Sequence, residues 1–262
     1  MVDRLPKERR RRISPTGTPA IKRETVRILK TSREELLQVL GAELIAGCRD
    51  VTNVLESSDR EPRAQFLKHF RKEIDVVTTS TALALAMFMI FLYRLEEDDT
   101  DRRRVMAVLH TAINLQVTST KLFLLGHTVA AGTVFRQVIE GVGLALLCSV
   151  HSLGYFTRFE AGIYSANRAI ADLKRHAAKA NVRPEAMETM LAAYRFHHTY
   201  AHISRLTIAA GIDFSRGGTP HLGAHFDREK LQAYGNEARN RARFASRLPN
   251  AVFVVCRNLA QW

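Results

Sequence analysis

Residues 76–93, VVTTSTALALAMFMIFLY, run for eighteen residues without a charge, and how they are read decides the fold. An uncharged run of about eighteen residues is the length at which a membrane-spanning helix becomes a candidate. Thr78, Thr79, Ser80 and Thr81 make its first third only weakly apolar. Its flanks, Glu73 and Asp75 on one side and Glu96–Asp101 on the other, are acidic, with Arg102–Arg104 just beyond, so no positive-inside asymmetry orients a span. A central helix of an all-α domain, apolar all round, has the same pattern. We therefore expect a buried core helix, with a single span at 76–93 as the alternative.

Working outward, the other apolar periodicities are helical too. Leu36, Leu37, Leu40, Leu44 and Ile45 follow a 3.6-residue spacing, with Thr31 or Ser32 as cap and Glu34 and Glu35 in the first turn. Helices are predicted from about Arg103 to Leu125, from Thr128 to Val150 after a break at Gly126-His127, and from Phe156 to Asn181. A further helix runs from Pro184 to near Gly211, and another from about Asp227 to Arg243. Residues 213–224, DFSRGGTPHLGA, read as a loop, and Val252–Leu259 as a short apolar close. No period-two alternation persists. The expected architecture is an all-α antiparallel helical bundle. Residues 1–20 form a disordered basic arm, 21–100 contribute amino-terminal helices packed on the core, and 101–262 form the bundle proper.

Charge is unevenly placed. Residues 1–30 carry ten Lys or Arg against three acids, which accounts for +7 of the chain's +13. Arg9, Arg10, Arg11 and Arg12 form the densest block and can hold an RNA backbone or an anionic surface by non-specific attraction. A solvated tail has the same composition. Cys48, Cys148 and Cys256 lie about a hundred residues apart, which matches neither a disulfide framework nor a zinc motif and suits a reducing cytoplasm. The first thirty residues contain no secretory apolar core, so export is not expected. The sequence contains no nucleotide-binding loop, nucleophile elbow or metal cluster, and no cofactor is expected.

Two stretches can carry chemistry. In Gly126–Glu140, GHTVAAGTVFRQVIE, Arg136 and Glu140 stand four apart in an otherwise apolar helix. They must face solvent, pair with each other, or pair across to a neighbour, because an unpaired buried charge costs several kcal/mol. In Tyr194–Arg205, YRFHHTYAHISR, a helix would place Arg195, His198 and His202 on one stripe. That stripe reads as a satisfied structural feature, as a weak His-x3-His metal pair, or as a phosphate-holding cation beside a proton-moving imidazole.

Arg195 followed by six residues and His202 resembles the R-x4–6-H signature of the HEPN superfamily of helical proteins. The Gly126–Glu140 helix is similar to the G-x3-A-x4-R-x3-E helix of bacterial HEPN-like families, in which a Tyr- and Ser-containing segment around a histidine follows, as Tyr200–Ser204 does here. The resemblance covers about Arg103–Leu259. It implies a HEPN-like bundle, a homodimer, and metal-independent RNA cleavage of defence or toxin type. Arg195 would hold the phosphate, His202 with His198 would serve as acid and base, and Arg136, Glu140, Tyr200 and Ser204 would support them. The rival expectation is a non-enzymatic helical module that binds a protein partner.

Overall fold

The computed structural model describes residues 46–262. The expected arm at 1–20, its Arg9–Arg12 block and the helix built on Leu36–Ile45 lie outside the described residues. Residues 46–55 are helical. From Arg60 onward nine α-helices follow, with one two-residue antiparallel ladder between them, and the chain is all-α.

The stretch at 76–93 belongs to a 33-residue helix, α1 (Arg60–Leu92), about 50 Å long at 1.5 Å per residue. It buries Phe66, Phe70, Ile74, Val77, Thr81, Ala84 and Phe88 against α2 (Thr100–Leu124) and the two carboxy-terminal helices α8 (Leu231–Ala245) and α9 (Leu248–Leu259). Steps of three and four residues keep those seven on one stripe. The opposite stripe is bare: Val76, Leu83, Ile90 and Tyr93 are 43%, 54%, 56% and 78% exposed. A helix apolar all round was expected to be buried all round, and only one side of it is. The α1 segment that meets the length and hydropathy of a span is 28% buried.

The helix that is buried on nearly every side is α3 (Thr128–Cys148). Phe135, Val138, Ile139 and Val142 through Cys148 sit in the main core with Met106, Leu109 and Ile113 of α2 and Leu248, Val252 and Leu259 of α9. Three residues join α2 to α3. His127 N donates to Leu122 O (3.0 Å) and Gly126 N to Phe123 O (3.1 Å), the pattern that closes a helix through a left-handed residue. Gly126 has φ 88°, and a Cβ there would meet the backbone of His225 at 2.9 Å. A smaller aromatic cluster joins Phe66 and Phe70 of α1 to Phe123 and Tyr234, with ring centroids of Phe66 4.8 Å from Phe123 and 4.9 Å from Tyr234.

Two predicted helices are broken. Phe156–Asn181 divides into α4 (Tyr155–Glu160), a 3₁₀ turn (Ala166–Arg168) and α5 (Ala169–His176), because Gly162 turns left-handed at φ 70°. Pro184–Gly211 divides into α6 (Pro184–His198) and α7 (Arg205–Ala210). Ser204 starts the second piece with a reciprocal cap: its Oγ accepts from Thr207 N while its N donates to Thr207 Oγ1 at 2.7 Å. Val252–Leu259, expected as an apolar close, is the main part of α9, with Pro249 in its first turn.

Candidate functional site

The break after His198 changes the geometry of the expected site. Arg195 and His198 lie on the last turn of α6, but His202 lies in the connection to α7, so the three do not share a helical stripe. They are nevertheless exposed together, and the rings of His198 and His202 are 5.0 Å apart, edge to face. Among the described residues none of Arg195, His198 and His202 has a carboxylate within ion-pair distance. Ser204 closes the turn by donating from Oγ to Thr199 O at 2.9 Å. Arg205, also exposed, follows three residues after His202.

The supporting residues lie below it. Arg136 Nε donates to Glu140 Oε1 at 2.9 Å on α3, and the Arg136 guanidinium lies 5.5 Å from the Tyr194 ring of α6. The pairing expected from the sequence is therefore present, with α6 as the neighbour. Tyr200 faces the other way, into the core. Its hydroxyl donates to Glu237 Oε2 at 2.9 Å, and its carbonyl accepts from Thr133 Oγ1 at 3.1 Å. Its ring rests on Gly132, where a Cβ would come within 2.4 Å of Tyr200 Cγ.

Behind Tyr200 is a buried polar cluster that no local spacing singles out. Arg241 of α8 is fully buried. Its Nη2 meets Glu237 Oε1 at 2.7 Å, its Nη1 donates to Ser119 Oγ at 2.6 Å, and Ser119 Oγ donates onward to Ala131 O. The guanidinium also stacks 4.7 Å from the Phe135 ring and 5.0 Å from Phe123. Every charge is thus answered, as a buried pair requires. Burial first and the Glu237 carboxylate second push the Tyr200 hydroxyl far above the usual phenol range. His197, also fully buried, packs 4.5 Å from Phe135. Neither of its ring nitrogens has a hydrogen-bond partner among the described residues. Burial, and then the Arg241 charge, hold its pKa well below the ordinary histidine value. The imidazole is neutral at physiological pH.

Two carboxylate–imidazole pairs were also missed. His127 Nε2 lies 2.9 Å from Asp59 Oδ2, and His225 Nε2 lies 3.2 Å from Asp213 Oδ2, the latter off line for a hydrogen bond. Asp213 is buried, and the Ser215 hydroxyl, donating at 2.6 Å, is the main influence that lowers its pKa. The rings of His221 and His225 lie with centroids 4.3 Å apart and tilted by 39°, on a loop rather than on the helix that an HxxxH spacing suggests. These pairings join residues 68 and 12 apart in sequence, and no local spacing announces them. Among the described residues no three His, Cys, Asp or Glu side chains converge to hold a metal ion.

Comparison of the chain with protein-family models, with curated proteins and with solved structures gives no match.

Proposed function

We propose that the protein binds RNA and cleaves it without a metal at the exposed edge formed by Arg195, His198 and His202. The observation that supports this reading is the pair of solvent-facing imidazoles 5.0 Å apart, flanked in sequence by Arg195 and Arg205. The guanidinium of Arg195 would bind a non-bridging phosphate oxygen. One imidazole would take the 2′-hydroxyl proton as its oxygen attacks phosphorus. The other would protonate the departing 5′-oxygen, leaving a 2′,3′-cyclic phosphate and a 5′-hydroxyl. The likeness to HEPN proteins adds a homodimer in the cytoplasm, acting in defence, with the Arg9–Arg12 arm drawing in the RNA backbone. The test is cleavage of single-stranded RNA in EDTA by wild type, Arg195→Ala, His198→Ala and His202→Ala. Loss in the variants supports the assignment; equal activity in all four, or none in wild type, overturns it.

The bare stripe of α1 favours a second reading, a non-enzymatic interaction module. Val76, Leu83 and Ile90 recur every seven residues, with Thr79 and Ala86 between them and Tyr93 after, the pattern of a helix that packs on a partner helix. On this reading Leu83→Lys abolishes complex formation and leaves the fold intact. If the same stripe instead faces lipid, the protein stays with carbonate-washed membranes.

A further inference from the structure

A cleft of about 460 Å³ opens at the end of α6 farthest from the imidazole edge, within the size range of small-molecule sites. The two lie about 20 Å apart, the length of the fifteen-residue helix between them. Its floor is apolar: Val142 and Leu146 of α3, Met190 of α6, Phe244 of α8, and Leu248 and Val254 of α9. Its mouth carries three guanidinium groups, Arg183, Arg247 and Arg257. Among the described residues none of the three has a carboxylate within 4.0 Å. Among the described residues Glu185, exposed, is the one acid in the lining.

The placement of two of these arginines runs against helix electrostatics. Arg183 is the N-cap of α6 and Arg247 the N-cap of α9, and neither helix has a side-chain cap. Helix N-termini carry partial positive charge and favour Ser, Thr, Asp or Asn at that position. Here two exposed cations occupy two such ends and line one apolar cleft. Local rules broken together in one place point to a function there. Arg257 lies 6.0 Å from the ring of Phe253, which is 54% exposed, so the mouth combines an uncovered aromatic face with charge.

We propose that this cleft binds an amphipathic anion, its apolar body between α3, α6 and α9 and its carboxylate or phosphate head on Arg183, Arg247 and Arg257. The site does not depend on the ribonuclease reading and stands if that reading fails. The head's charge sets affinity through the guanidinium forks. The body is held by contact with the floor and with Phe253.

The full chain is titrated by calorimetry with decanoate, decyl phosphate, decanol and inorganic phosphate, all below micellar concentration. Saturable binding of decanoate or decyl phosphate, with decanol and inorganic phosphate at least about tenfold weaker, is expected, since one charged hydrogen bond amounts to about a factor of ten. Whichever of the two binds more tightly identifies the head. Arg247→Ala with Arg257→Ala lowers that affinity at least about tenfold, because both groups are exposed and their loss leaves the fold intact. Ala186→Phe fills the cleft and abolishes binding, and Thr189→Phe on the same wall replaces it if that variant does not fold. Equal binding of decanoate and decanol, no saturable binding of either anion, or undiminished binding in a folded cleft-filling variant overturns the proposal.

Discussion

Replacing His197 with Phe isolates one buried titration. His197 is fully buried, its ring 4.5 Å from Phe135 and 4.9 Å from Phe196, and neither nitrogen is hydrogen-bonded among the described residues. Burial first, then Arg241, lower its pKa well below 6.5 in the folded chain. In the unfolded chain the imidazole takes up a proton near 6.5. Between the folded and unfolded values the unfolded state binds more protons, so stability is fully present above about pH 6.5 and falls as pH drops towards the folded value. The slope approaches about 1.4 kcal/mol per pH unit, and from pH 7.5 to 5.5 the loss sums to about 1.4 kcal/mol, because little of it accrues above the unfolded pKa. His221 is shifted in the same direction, chiefly by burial, but it is common to both proteins. Urea unfolding of wild type and His197→Phe at both pH values should therefore show the variant about 1.4 kcal/mol less sensitive to acid. At pH 7.5 it should be at least as stable as wild type, since an apolar ring replaces two unpartnered buried nitrogens. Identical pH dependence in the two proteins would refute the buried neutral imidazole.

Gly132→Ala forces Tyr200 off its seat, because the new Cβ would stand 2.4 Å from Cγ of a ring whose hydroxyl is tied to Glu237. Overpacking of this kind should cost about 1–3 kcal/mol in thermal or urea unfolding. Gly47→Ala, with nothing within 4 Å among the described residues and in a helical stretch, should instead stabilise by roughly 0.5–1 kcal/mol. The cysteines should separate by reactivity in native protein at neutral pH. Burial pushes the Cys148 thiol up to about 12 and the Cys256 thiol up to about 11, while Cys48 is exposed. An aromatic disulfide reagent should therefore label one thiol per chain quickly and the others only after unfolding. Fast labelling of all three would contradict the core built around α3 and α9.

The helical class was legible because apolar periodicity is a local signal, and α1 and α3 carry it over many turns. What local pattern cannot show is which face finds a partner. Val76, Leu83 and Ile90 are as apolar as Val77, Ala84 and Phe88 on the same helix, yet only the second set is buried. The break at His198 was written in Ser204-x-x-Thr207, but an apolar run continuing on both sides hid it. The two Arg–Glu pairs show the same limit. Arg136 and Glu140 stood out because α3 is otherwise apolar. Glu237 and Arg241, the more deeply buried pair, sit in NEARNRARF among Arg239 and Arg243, both exposed, and nothing in that run separates the buried arginine from its neighbours.

Those two pairs act on neighbouring parts of the chain. Arg136–Glu140 of α3 packs on Tyr194 within α6, and Glu237–Arg241 of α8 holds Tyr200 two residues past the end of that helix, with Thr133 fixing the Tyr200 carbonyl. The tyrosines bracket Arg195 and His198, and His202 follows two residues beyond Tyr200. Arg195 and His198 thus lie between two residues tied to ion pairs, and His202 just past the second, which is how a scaffold limits the motion of groups that must meet a substrate. If the edge is catalytic, Tyr200→Phe leaves every exposed group in place but releases one clamp. Cleavage should then fall through a lower kcat, while KM changes little, because Arg195 still meets the phosphate. A rise in KM alone would mean that Tyr200 shapes binding, and an unchanged kcat would mean that the clamp serves the fold and not the edge.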